Sequence, residues 1–132
     1  YVGVRFWRYQ RAPLRLLSWA HEREWNPGEA LEAETIPALD ALDEHGIHGY
    51  TTMSDFRREI PDIEFLLTFK PYRKFDGLVI GTVALWGITV IHPHGYRAQY
   101  AKPISFISAH GERPADTLDR LRTMFGVAEG KS

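Results

Sequence analysis

The chain predicts an α+β protein: a curved antiparallel sheet or small β-barrel with a C-terminal amphipathic helix packed on it, built as a single domain over residues 1–132. Three stretches carry that prediction. Gly77–Ile107 holds two long β-type runs joined at His92-Pro93-His94-Gly95. Val2–Tyr9 is dense in β-branched and aromatic residues. Pro114–Phe125 spaces Leu118, Leu121 and Phe125 along one helical stripe.

In Val2–Tyr9, Val4 and Phe6 share one face of the expected strand, and Arg5, Trp7 and Tyr9 share the other. Both faces carry apolar bulk, so the strand is either covered on both sides or leaves Trp7 partly exposed. Gln10–Pro13 reads as a turn and Leu14–Ser18 as a partner strand. Trp25-Asn26-Pro27-Gly28 is a turn, because proline presets φ at the second position and glycine accepts positive φ at the last. Glu29–Glu34 alternates charge with Ala and Leu and predicts a short strand with an acidic outer face.

Thr35–His45 reads as a short helix, with Thr35 as N-cap, Pro37 in the first turn and Gly46 as the stop. Ile47–Met53 predicts a strand, followed by a helix capped by Ser54-Asp55 and interrupted by Pro61. Asp62–Phe69 fits both a helix and a buried strand. Pro71–Gly77 is a basic loop closing on an Asp-Gly turn. Leu78–His92 is long for one strand, and Gly81 and Gly87 mark expected bulges where it coils. The return strand sets Tyr96, Ala98 and Tyr100 against Arg97, Gln99 and Ala101, with Pro103 at an edge or a bulge. Gly126 caps the final helix.

Composition narrows function by exclusion. The 132 residues contain no cysteine, which removes disulfide frameworks, thiolate nucleophiles and Cys-ligated metal sites. No apolar run reaches the length of a membrane span, and no signal peptide is visible. The chain opens on Tyr1 and not on Met, which is compatible with an upstream segment. The expected setting is cytoplasmic. Net charge is −1, but it is unevenly spread. Tyr1–Trp25 holds five Arg against two Glu, Asn26–Glu64 ten acids against two Arg, and Phe65–His110 five basic residues against one Asp. Such a total lacks the strong positive balance of a nucleic-acid binder.

A set of motifs runs through the chain: Trp25-x-Pro27-Gly28, Leu31-x-Ala33-Glu34, His45-x-x-His48, Gly81-x-Val83-x-Leu85-Trp86-Gly87 and Gly95-Tyr96-Arg97-Ala98-x-x-Ala101-x-Pro103. Together they resemble a group of small bacterial and phage proteins of unassigned function. In that group, cysteines stand near the positions of Thr35, Tyr50 and Thr52, with a histidine near His45. This chain departs from the pattern at each cysteine, so the resemblance supports the fold and carries over no zinc site and no activity.

Among possible chemistries, His92-Pro93-His94 has the His-x-His spacing of some metal sites, but Pro93 and Gly95 make it a turn in which the rings need not converge. His45-x-x-His48 straddles the helix stop at Gly46, and His21 and His110 are isolated. No nucleophile elbow, P-loop, dinucleotide fingerprint or His-Glu-x-x-His occurs. Ser54, Ser105 and Ser108 have no local signature, which leaves only a triad assembled in space. The acids from Asp40 to Glu64 sit at helix-surface spacing, where solubility and dipole compensation account for them.

The remaining signal is arginine and lysine interleaved with aromatics. Arg5, Trp7, Tyr72, Arg73, Lys74 and Arg97 are the expected binding residues. Such a set suits a protein interface or single-stranded nucleic acid. For Trp7 and Trp86 it also suits a core with arginines reaching over it. The expected function is therefore a non-catalytic binding or regulatory module, with a protein partner, no cofactor and no metal. The alternatives are a nucleic-acid-binding accessory protein and a small metal-assisted hydrolase using His92, His94 and an acid.

Overall fold

A computed structural model of the chain describes residues 1–19, 23–34, 37, 46–69 and 74–129. Its strands are β1 (Val2–Arg11), β2 (Leu14–Leu17), β3 (Glu24–Trp25), β4 (Leu31–Glu32), β5 (Ile47–Tyr50), β6 (Gly77–His92), β7 (Gly95–Gly111) and β8 (Ala128–Glu129). The helices are α1 (Met53–Glu59), α2 (Ile63–Leu66), which runs into a 3₁₀ turn at Leu67–Phe69, and α3 (Pro114–Phe125). The protein is α+β, with one curved sheet that is antiparallel except where β8 joins β7. The helix expected at Thr35–His45 lies outside the described residues apart from Pro37.

The β6–β7 hairpin is the spine of the sheet. It pairs from Gly77↔Gly111 to His92↔Gly95, with register shifts at Ile80/Gly81, Thr82/Val83 and Trp86/Thr89. Both expected bulge glycines thus sit at breaks in register, and Pro103 lies at the remaining break, Thr82/Val83. Gly87 takes φ 77°, and a side chain there would stand 2.8 Å from the Gln99 amide oxygen, the atom that accepts from Ile88 N. The coiling lets β1 pair with β6 on one side and β5 on the other, while β5 also pairs with β7. Four strands therefore form a circuit, which closes through the single pair Val4↔Tyr50.

Directly opposed residues share a sheet face, and this defines two sides. Trp7↔Val79 and Tyr9↔Gly77 look inward, where Trp7, Tyr9, Trp25, Val83, Leu85, Phe106, Leu121 and Phe125 form the main core. Glycines make room for the rings: a side chain on Gly81 would collide with Ser105 O and stand 3.1 Å from Trp7. The other side carries Val4, Phe6 and Ile80, covered by Phe56 and Met53 from α1 and Ile63 from α2.

Helix α3 closes the inner side. Leu121 and Phe125 supply its apolar stripe and Gly126 ends it at φ 64°. Polar bonds hold it to the sheet as well. The Arg122 guanidinium donates twice to Phe106 O, at 3.1 and 2.8 Å, and the Tyr9 hydroxyl donates to Glu112 O at 2.8 Å.

Several local expectations are corrected. The strand expected over Ile47–Met53 stops at Tyr50, because Thr52 caps α1 by accepting from Asp55 N; Ser54-Asp55 lies inside the first turn. Asp62–Phe69 resolves as helix, with the Asp62 side chain accepting from Glu64 N. The strand expected over Glu29–Glu34 is reduced to β4. In β7 the predicted alternation fails at Arg97 and Ala98, both buried, since the coiled strand is enclosed on both sides there.

Candidate functional site

The expected basic–aromatic surface is not assembled as one. Trp7 is 0% exposed, packed edge-on against Trp25 at 5.5 Å and Phe106 at 5.6 Å. Its place opposite Val79 fixes it inward, where a large ring gains most from burial. Arg97 is 4% exposed. Its Nε donates to His92 Nε2 at 3.0 Å, and its Nη2 stands 2.8 Å from the same atom. Both side chains are buried, and for Trp7 this is the core placement the sequence also allowed. Tyr72 and Arg73 lie outside the described residues. Lys74 is exposed, and its carbonyl accepts from Arg8 Nη1 and Gln10 Nε2.

Arg5 is a partly buried cation on the inner side of β1. Its guanidinium lies 4.9 Å over the Trp25 ring, with Nη1 donating to His48 O at 2.7 Å and Nη2 to Ser18 Oγ at 3.3 Å. Burial lowers its pKa to about 10, opposed by the charge of Tyr50, so it stays protonated at neutral pH. Two buried donors on this side, Arg5 Nε and Trp7 Nε1, find no partner among the described residues. Arg8, on the opposite face, is fully buried, with Nε donating to Ser18 O at 2.8 Å.

Trp86 reverses the other expectation. Placed in the core by sequence, it is 41% exposed and stacked on Tyr100 at 5.9 Å. The register explains it. Val2↔Ala84, Ala84↔Lys102 and Trp86↔Tyr100 continue the outer face beyond the reach of α1 and α2. Val2 is 56% exposed and Lys102 is exposed. The Glu32 carboxylate raises the Tyr100 hydroxyl pKa, by its charge first and then by their hydrogen bond. Ile88 and Ile91, further along β6, are also exposed. The signal available in sequence was the alternation itself: Trp86 shares parity with Ala84 and Thr82, not with Val83 and Leu85.

The histidines separate into three environments. His92 Nε2 is taken by Arg97, as above. His94 Nδ1 lies 2.9 Å from Asp55 Oδ1, so the two rings of the turn serve different partners. Burial pushes the Asp55 carboxyl up, but the Thr52 hydroxyl, His94 and Arg58 outweigh it and hold the group below its ordinary value. His110, isolated in sequence, stands between two groups. Its Nδ1 is 3.0 Å from Glu64 Oε1, and its Nε2 is 3.3 Å from Ser108 Oγ. Among the described residues, no group of three His, Asp or Glu side chains is gathered to hold a metal ion. None of the described helices is long and apolar enough to cross a membrane. Compared with protein-family models, with curated proteins and with solved structures, the chain matches none.

Proposed function

We propose that the protein is a binding module for a protein partner, and that the contact is made by the open end of the outer sheet face. The observation that carries this reading is the exposed row Val2, Trp86 and Lys102, with Trp86 stacked on Tyr100. A rigid aromatic pair costs little side-chain entropy to immobilise, which is why tryptophan and tyrosine anchor interfaces. At the other end of the same face, helical side chains cover Val4 and Ile80. The partner supplies the equivalent cover here: an apolar side chain laid over Trp86, with a carboxylate for Lys102. The chain's net charge of −1 gives little general attraction to phosphate, which favours protein over nucleic acid.

The test is affinity capture with the wild-type chain and with Trp86→Lys, followed by identification of the bound protein and reconstitution from purified components. The reading expects a direct complex that Trp86→Lys weakens at least tenfold while its circular dichroism stays native. A complex indifferent to Trp86→Lys overturns it, as does capture of nucleic acid alone with steep loss on raising salt.

A further inference from the structure

We propose that Ser108, His110 and Glu64 form a nucleophile–base–carboxylate relay able to hydrolyse carboxylic esters bearing a small apolar acyl group. The inference is independent of the binding surface above and rests on different residues.

Ser108 and His110 lie two apart on β7, opposite Ile80 and Leu78, so both look out from the outer face. The strand breaks register just before them. Ile80 pairs with Ser108 but Gly81 pairs with Phe106, so Ile107 is the extra residue of a bulge. Bulges re-aim neighbouring side chains and are frequent beside active sites. Glu64 arrives from a separate element, 46 residues away in sequence. It occupies the first turn of α2, whose start is fixed by the Asp62 cap at 3.1 Å from Glu64 N. The contact is therefore produced by the tertiary fold and not by chain proximity.

The order of atoms is the one that nucleophilic catalysis requires. Glu64 Oε1, at 3.0 Å, accepts from His110 Nδ1–H and so fixes the tautomer. That leaves the Nε2 lone pair facing the Ser108 hydroxyl at 3.3 Å, a distance suited to a resting site that tightens on binding. Ser108 is half-buried and the His110 side chain is 26% exposed, so a substrate carbonyl can reach the serine oxygen. Phe65, the next residue of α2, is exposed and supplies apolar surface on that helix. Its ring meets Phe69 at 5.7 Å.

In the first half-reaction, Ser108 Oγ bonds to the ester carbonyl carbon as its proton passes to His110 Nε2. The carbon–alkoxide bond then breaks, and His110 returns that proton to the leaving alcohol. In the second, water attacks the acyl-serine and gives its proton to His110. The carboxylic acid departs and Ser108 recovers its hydrogen. Nothing is oxidised or reduced, and water is the only co-reactant. Glu64 acts as a positioning residue throughout.

The experiment is reaction of the purified chain with a fluorophosphonate probe, read by peptide mass spectrometry, alongside hydrolysis of p-nitrophenyl butyrate. The expected result is one adduct, on Ser108, absent in Ser108→Ala and unchanged in the control Ser54→Ala. His110→Gln slows labelling by about 100-fold or more. Glu64→Gln slows it about tenfold, and the His110 ring nitrogens lose their single-tautomer pattern in ¹⁵N spectra. An unmodified Ser108 in the folded protein overturns the proposal. So does labelling at Ser108 that His110→Gln, still folded, leaves at the wild-type rate, and so does ester hydrolysis that survives in full in Ser108→Ala.

Discussion

Along the outer face of the sheet, Val4, Phe6 and Ile80 lie beneath Phe56, Met53 and Ile63, whereas Val2, Ala84 and Trp86 continue the same rows with none of the described helices above them. The strands are continuous from one end to the other, and the apolar content differs little. What differs is the chain that follows β5, which turns into α1 and α2 and reaches only the first half. The lesson is that exposure here is set by the reach of a connection and not by strand sequence. A row of apolar residues is a core where the chain returns over it and stays exposed where it does not.

The sharpest test of that contrast is truncation on the covered end. Phe56 is 2% exposed and its ring meets Phe6 and Tyr50. Phe56→Ala is expected to cost about 3–5 kcal/mol in urea denaturation. A loss below about 1 kcal/mol would mean that α1 is not holding the face together. Next in size is Gly87→Ala, which probes what shapes the open end. Its φ of 77° and the 2.8 Å approach of Gln99 and Tyr100 predict a cost of about 1–2 kcal/mol, by backbone strain and not by burial. Trp86→Ala should cost less than about 1 kcal/mol, since the residue is already 41% exposed. A cost equal to that of Phe56→Ala would erase the distinction between the two ends.

The smallest effect concerns the tie between the hairpin turn and α1. Asp55 is held below its ordinary value of 3.8. A depressed carboxyl contributes stability that is present above the unfolded pKa and is lost as pH falls through the folded one. The wild type should therefore lose stability below about pH 4 faster than Asp55→Asn does, as read from urea midpoints taken across that range. Parallel acid profiles would show that His94 and Asp55 contribute nothing to the docking of α1.

Much of the fold was legible. Alternation and chain length defined the hairpin, Gly81 and Gly87 marked its breaks, and the Leu121–Phe125 stripe with Gly126 defined α3. The candidate sites were less so, for reasons particular residues make clear. Interleaved arginine and tryptophan read the same whether they line a surface or an interior. Arg5 over Trp25 and Arg97 on His92 are stacking and hydrogen bonding turned inward. Which way β1 faces depends on where β6 pairs, and a single chain does not announce its long-range register. Ser108 and His110 carry no signature in the sequence, and Glu64 joins them only through the placement of α2. Trp86 reads as core from its apolar neighbours, although its parity with Thr82 and Ala84 places it on the outer face.

The circuit of four strands has an uneven seam. On three sides it is stitched by ladders, but between β1 and β5 the backbone bridge is Val4↔Tyr50, reinforced by the Arg5 guanidinium on His48 O at 2.7 Å. Local openings begin where the fewest bonds must break. Deuterium should therefore enter the amides of Ile47–Tyr50 well before those of Leu78–Val83. The Arg5 guanidinium that bridges this seam keeps one buried nitrogen, Nε, without a partner among the described residues.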